Sequence, residues 1–331
     1  MIQLQKAKRS LARIKLAIGG PTGSGKTLSS LLLAYGLIKA EHPEYTDAQC
    51  WDKICIIDTE NKSASLYTNF SVGSYRTGEY YTIPIDPPFE AAKYIDAIHA
   101  AEQGGMAVII IDSLTHAWTG EGGALDKQGK IAARTGNSYT AWRDVTPEHN
   151  RLVDAMLQSP CHVIADIRAK QEYVQEKNSA GKTVVRNVGM GLQMRDGIEY
   201  EFTTCFMLDN DHTANATKDR TGLFDGKYFT ITPETGRQIY QWLASGEPEP
   251  PKAPVPQPAY AAPHADQPVL QSAAGEVTLE MADEAIKRFN AAHPEARQDT
   301  IARVKAIAGK ANYLKVEDPN IIKALYEAFK E

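Results

Sequence analysis

Short unbroken apolar runs alternate along this chain with longer stretches in which apolar residues recur every third or fourth place. The first pattern predicts strands buried on both faces, and the second predicts helices with one buried face. Residues 12–19, apolar apart from Arg13 and Lys15, read as the first strand, and from Lys26 to about Ala40 the residues Leu28, Leu31, Leu32, Tyr35 and Ile38 mark a helical face. Lys53 to Asp58, closed by Thr59, Glu60 and Asn61, is a second run too brief for a helix. A strand over 80–85 then precedes a helix from Pro87 to about Glu102, stopped by Gly104 and Gly105. Met106 to Ile111 is apolar throughout and ends on Asp112, the signature of a central strand in a parallel sheet.

The second half reads less regularly. Residues 119–138 are glycine-rich and predict a long loop carrying Lys127, Lys130 and Arg134. Trp142 to Gln158 is helical, and His162 to Arg168 is another buried strand leading to Lys170 and Gln171. Tyr173 to Val188 reads as a hairpin with its tip at residues 178–181. Ile198 to Leu208 reads as a strand, Asn215 to Gly222 as the following turn, Lys227 to Thr232 as a final strand, and 234–245 as a short helix. Prolines and alanines dominate 246–275, a composition that predicts a disordered linker. Helical segments at roughly 278–292, 295–311 and 319–330 predict a small all-α bundle. The expected domains are therefore a core at 1–245, the linker at 246–275 and a helical domain at 276–331.

Strands alternating with helices specify an α/β fold, a doubly wound and mainly parallel sheet. The turn after its first strand carries the chemistry. Gly20, Pro21, Thr22, Gly23, Ser24, Gly25, Lys26, Thr27 and Leu28 have the spacing of a phosphate-binding P-loop between a strand and a helix. Its glycines let successive N–H groups face a phosphate, and the helix adds the positive end of its dipole. Lys26 is expected to bridge the β- and γ-phosphates, and the Thr27 hydroxyl to bind Mg²⁺. Asp112 is expected to order the water shell of that ion from the neighbouring strand; the alternative for a strand-end acid is to cap a turn.

Composition narrows the partners. A net charge of -5 over 331 residues excludes a general polycation, so any nucleic-acid contact must be a local basic surface. Of the four cysteines, Cys55, Cys161 and Cys205 fall in apolar runs and read as small buried thiols. No apolar run approaches the roughly 18 residues of a membrane span, and Met1 to Ser10 lacks a signal core, which predicts a cytoplasmic, non-membrane protein.

The P-loop, the strand ending in Asp58-Thr-Glu60, the strand ending in Asp112-Ser113, the strand ending in Asp166-Ile-Arg168 and a late Lys218-Asp-Arg220 occur in the order of the RecA-like ATPase core. Over about residues 10–245 the chain resembles the short phage-encoded RecA-like recombinases of the Sak-four type and phage AAA-family ATPases. The resemblance implies a homo-oligomer, ring or filament, that binds ATP and Mg²⁺. Glu60 then matches the catalytic glutamate that polarises water, and Lys218 and Arg220 match a basic pair that reaches the γ-phosphate of the adjacent subunit. RecA has a glutamine γ-phosphate sensor where this chain has Asp166, so Arg168, Lys170 and Gln171 are substitute candidates. In such proteins single-stranded DNA lies on loops matching 119–138 and 171–192, whose cations are Lys127, Lys130 and Arg134, and Lys177, Lys182 and Arg186, with Tyr173 as a stacking candidate or a packed sheet residue. The implied activity is ATP-dependent annealing or strand exchange; the alternatives are a hexameric helicase or helicase loader, and a slow ATP-gated adaptor. The helical tail lies outside the resemblance and is expected to dock a single-strand-binding or replication protein, or to contact DNA.

Overall fold

A computed structural model describes residues 12–177, 183–246, 279–292, 297–308 and 318–329 of the chain. They belong to two compact units, Met1–Ala253 and Pro254–Glu331. The predicted linker lies outside the described residues apart from Gly246, as do the hairpin tip and Lys182.

The first unit opens with β1 (Lys15–Gly20), α1 (Lys26–Glu41), the short α2 (Asp47–Trp51) and β2 (Ile54–Asp58). A two-stranded ribbon, β3 (Ser71–Val72) and β4 (Tyr75–Arg76), precedes β5 (Tyr81–Pro84), α3 (Ala91–Gln103) and β6 (Val108–Asp112). Three helices follow, α4 (Thr115–Thr119), α5 (Ala124–Thr135) and α6 (Ser138–Gln158). Then come β7 (His162–Lys177), β8 (Thr183–Leu192), β9 (Thr204–Leu208), β10 (Ala214–Asp219), β11 (Tyr228–Phe229) and α7 (Pro233–Ala244).

The main sheet has the order β11-β10-β9-β1-β7-β6-β2-β5. From β9 to β5 every pairing is parallel, while β10 and β11 join antiparallel. This is the doubly wound, mainly parallel arrangement that the alternation predicts. β2 and β6 are wholly buried, as their unbroken Ile and Val content requires. One apolar layer packs α1 and α7 on the sheet through Leu31, Leu33, Ile38, Ile239 and Leu243. The helices meet where Gly36 faces the Pro233 carbonyl and Gly236 faces that of Leu33; a Cβ at either glycine would lie within about 2 Å of the oxygen, so only glycine permits this crossing. The opposite layer packs Tyr94 and Ile98 of α3 and Leu152 and Met156 of α6 on the other face.

Five expectations are corrected. Residues 119–138 are not a long loop, because α5 occupies most of the stretch; its glycines mostly bracket the helix, with Gly123 before it and Gly136 ending it at φ 71°, while Gly129 lies inside it. Asn215 to Asp219 belong to β10 rather than a turn, paired with β9 across a bulge between Ala216 and Lys218. The strand expected over 198–208 begins only at Thr204, after a single 3₁₀ turn at Ile198–Tyr200, and the final strand shrinks to Tyr228–Phe229. Finally, β6 does not adjoin β1, because β7 lies between them.

β7 also runs far beyond the sheet. It pairs with β1 as far as Gly20 opposite Arg168, then continues into an antiparallel hairpin with β8, from Ala169 opposite Leu192 to Lys177 opposite Thr183.

In the second unit, α8 (Leu279–Ala292), α9 (Arg297–Ala308) and α10 (Pro319–Phe329) enclose Ala282, Ile286, Val304, Leu325 and Phe329. Phe289 meets Phe329 edge-on at 5.4 Å.

Candidate nucleotide site

Parallel strands bring their carboxyl ends to one edge, and there the register aligns Asp58, Asp112 and Asp166 in a single row across β2, β6 and β7. Three acids in a row demand different partners. Asp58 turns its oxygens to the backbone N–H groups of Glu60 at 2.7 Å and Ala64 at 3.1 Å, so it caps the turn after β2. Asp166 is fully buried and accepts from the Ser30 hydroxyl of α1 at 2.6 Å, while its Oδ2 has no partner among the described residues. Asp112, between them, accepts from the Thr27 hydroxyl at 2.5 Å.

Burial pushes both Asp112 and Asp166 above the usual carboxylate range, and the charge of Asp112 adds to the shift of Asp166. Such carboxyls gain from a nearby cation.

The turn from β1 into α1 supplies the cradle. Gly23 and Gly25 have φ of 81° and 87°, a backbone that glycine adopts without steric cost. A Cβ on Gly20 would sit 2.4 Å from the Ser24 hydroxyl oxygen, which is buried and has no hydrogen-bond partner among the described residues. Lys26 Nζ folds back to donate to the carbonyls of Gly20 at 3.1 Å and Pro21 at 2.9 Å. Helix α1 begins here with no acid in its first turn, so its orphan N–H groups and dipole favour an anion.

These residues fit a nucleotide and a hard cation. Thr27 and Asp112 offer two facing oxygens at the mouth of the cradle. Among the described residues no cluster of three or more His, Cys, Asp or Glu side chains could hold a metal ion alone. A cation here would share its ligands with phosphate, as Mg²⁺ commonly does.

Glu60 lies beyond the end of β2, where Arg168 reaches it from β7: Nη2 donates to its Oε1 at 2.8 Å and Nε at 3.1 Å. The Arg168 backbone is fixed by Thr115, whose hydroxyl accepts from its N–H at 2.8 Å. Thus two separate expectations, a catalytic glutamate and a sensor, meet in one ion pair. Lys170 and Gln171 lie further along β7, exposed, opposite Gly191 and Met190.

Lys218 and Arg220 stand at the other end of the sheet. Arg220 N–H donates to the Thr203 carbonyl, and Thr203 N–H to that of Lys15, so Arg220 lies level with the start of β1, while Lys218, opposite Cys205, lies level with Ala17. Along the strand these are about 16 Å and about 10 Å from Gly20, at roughly 3.3 Å per residue. Lys218 Nζ donates to the carbonyls of Glu199 at 2.8 Å and Tyr200 at 2.7 Å, and Arg220 Nη2 to that of Tyr200 at 3.3 Å.

Of the expected DNA contacts, Lys127 pairs with Glu148 at 2.7 Å and with Glu90 at 3.6 Å, and Lys130 with Asp126 at 2.7 Å, whereas Arg134 is exposed. Own-chain carboxylates therefore neutralise much of the basic character of α5. Lys177 and Arg186 occupy backbone positions in the β7–β8 hairpin, and Tyr173 lies beside the irregularity after Glu172. All four buried cysteines are free thiols. No helix among the described residues is long and apolar enough to cross a membrane.

Sequence reading missed Ser30, Thr115 and His212, whose Nδ1 lies 3.0 Å from the Ser24 carbonyl. None stands in a motif; each is defined by a contact remote in sequence.

A family model described as AAA domain matches residues 12–232, which contain the whole sheet. No curated protein matches the chain.

Proposed function

The chain belongs to the AAA domain family, a nucleotide-hydrolysing class, and on that premise we propose that it is a Mg²⁺-dependent ATPase whose site is completed by a second copy of the chain and whose turnover responds to single-stranded DNA. Annealing or strand exchange is the activity this would drive. The observation that carries the reading is the 2.5 Å contact between Thr27 and Asp112, residues 85 apart, at the open end of a glycine-rich anion cradle. Mg²⁺, when bound, neutralises charge on the phosphates.

The chain's own groups do the rest. The turn from Gly20 to Thr27 holds the β-phosphate on backbone N–H groups, and Lys26 exchanges its carbonyl partners for phosphate oxygens. Glu60 polarises the attacking water, and because Arg168 holds its Oε1, release of Arg168 would leave both carboxylate oxygens to act as base. Arg168 stands where β7 leaves the sheet for the hairpin, so a strand of DNA on that hairpin could shift Arg168 from Glu60 toward the γ-phosphate. Lys218 and Arg220 are too far along β1 to serve their own cradle, which supports delivery to a neighbour's γ-phosphate. The helical unit at 279–329 is left for docking a single-strand-binding or replication protein.

The test is ATP hydrolysis by the wild-type chain, Glu60→Gln and Arg220→Ala, each with and without single-stranded DNA. Stimulation of the wild type and near loss in both variants is expected. Full turnover by Glu60→Gln would remove that residue from the chemistry, and a wild-type rate indifferent to DNA would remove the coupling.

A further inference from the structure

The turn joining β9 to β10 presses on the phosphate loop. Met207 of β9 lies opposite Gly19, which sets residues 209–213 beside the start of the cradle. Asp209 folds this turn: its Oδ1 accepts from the N–H groups of Asp211 at 2.9 Å and Thr213 at 2.8 Å. The fold holds His212 at φ 62°, a left-handed backbone that is disfavoured for a non-glycine residue. What the strained residue touches is the loop itself. Its Nδ1 lies 3.0 Å from the Ser24 carbonyl oxygen, and the same atom would lie 3.0 Å from a Cβ placed on Gly25. A carbonyl oxygen only accepts, so Nδ1 carries the proton and donates.

We propose that His212 is a positioning residue for the nucleotide: by holding the Ser24 carbonyl, it aims the Gly25 N–H into the cradle. The Ser24–Gly25 peptide is trans, so its C=O and N–H point to opposite sides. With the oxygen drawn to His212, the hydrogen is turned away from the imidazole, toward the side where the phosphate-binding N–H groups converge. Gly25, with φ 87°, could otherwise rotate this peptide freely, because glycine imposes little restraint on its own backbone. His212 supplies the restraint that the loop sequence lacks.

This inference rests on nucleotide binding at the Gly20–Thr27 turn, and its test separates the two. Mg-ADP binding to the full chain is measured by calorimetric titration for the wild type, Lys26→Ala, His212→Gly and His212→Asn, with a melting temperature for each. Glycine removes the donor without backbone strain. Asparagine tolerates the left-handed backbone and can place an N–H where Nδ1 stands. His212→Gly is expected to bind about tenfold more weakly, the value of one hydrogen bond, and His212→Asn to recover to within about twofold of wild type. Melting temperatures should stay level across the two His212 variants. Wild-type affinity in His212→Gly, or equal weakening in both variants, would overturn the role of His212 and leave the phosphate loop intact. A wild type that does not bind Mg-ADP, or binds it no better than Lys26→Ala, would overturn both.

Discussion

The two ends of the central sheet handle buried charge in opposite ways. At the amino ends of the strands, polar groups find complete partners within the chain: Lys15 Nζ donates to the carbonyls of Ser159 and Cys161, each at 2.7 Å. Glu41 accepts from Arg13 Nη1 with both oxygens at 2.8 Å. Burial alone would raise the Glu41 carboxyl, but His162 and Arg13 beside it outweigh burial and hold its pKa down at about 2. At the carboxyl ends, burial pushes Asp112 and Asp166 up, and Asp166 Oδ2 and Ser24 Oγ lack partners among the described residues. One end is satisfied by folding and stabilises the fold. The other is left short of positive charge and donors, the condition of a site that a ligand and a cation complete.

This contrast predicts that activity and stability can be separated by substitution, with Arg220, exposed at the amino end, falling on the side of activity because it is proposed to serve a neighbour's cradle. The largest effect is expected from Arg220→Ala, which should lower ATP turnover by about a thousandfold while leaving the melting temperature unchanged, because its side chain makes a single, exposed hydrogen bond among the described residues. A comparable fall in melting temperature would make Arg220 structural.

Next, Arg168→Ala should free the Glu60 carboxylate and raise unstimulated turnover several-fold, narrowing the difference that single-stranded DNA makes. Steady-state hydrolysis with and without DNA measures both. A plain loss of activity would mean that Arg168 is needed where it stands.

Glu41→Gln should do the reverse of Arg220→Ala. It removes the charge and one of the two oxygens that accept from Arg13, costs about 1–3 kcal/mol in denaturant unfolding, and leaves turnover at low temperature intact. In the wild type the Glu41 contribution is present above about pH 4.5 and is lost as pH falls toward 2, since the unfolded carboxyl takes up a proton that the folded one refuses.

The smallest effect is a slope. Burial, helped by Arg195, lowers the His149 pKa from 6.5 to about 4. Between those values the unfolded chain binds the proton and the folded chain does not, so stability should rise with pH across that window. His149→Phe keeps a ring beside Trp118 and should flatten the rise; an unchanged slope would assign it to other groups such as His162.

What could be read from sequence follows the range of the interactions. The cradle from Gly20 to Thr27 is local, written in consecutive residues, and the apolar runs before Asp58 and Asp112 mark strands because double burial demands them. Helix α5 was hidden because Gly120, Gly122, Gly123, Gly129 and Gly136 suggest a loop, although they mostly bracket the helix. β10 was hidden because Asn215, Thr217, Lys218 and Asp219 look like turn formers, and only pairing with β9 makes them a strand. The pairing of Glu60 with Arg168 spans 108 positions, and that of His212 with Ser24 spans 188. No spacing rule reaches so far; the sheet register creates both.

If Lys218 and Arg220 of one copy of the chain complete the cradle of another, as proposed, variants broken in different halves of the site should rescue each other. Arg220→Ala is mixed with Lys26→Ala and ATP hydrolysis is followed: each variant alone lacks one half of every site, whereas a mixed assembly contains some interfaces with both. Two inactive proteins should then regain partial activity together. A mixture as inactive as its components would rule out delivery between copies.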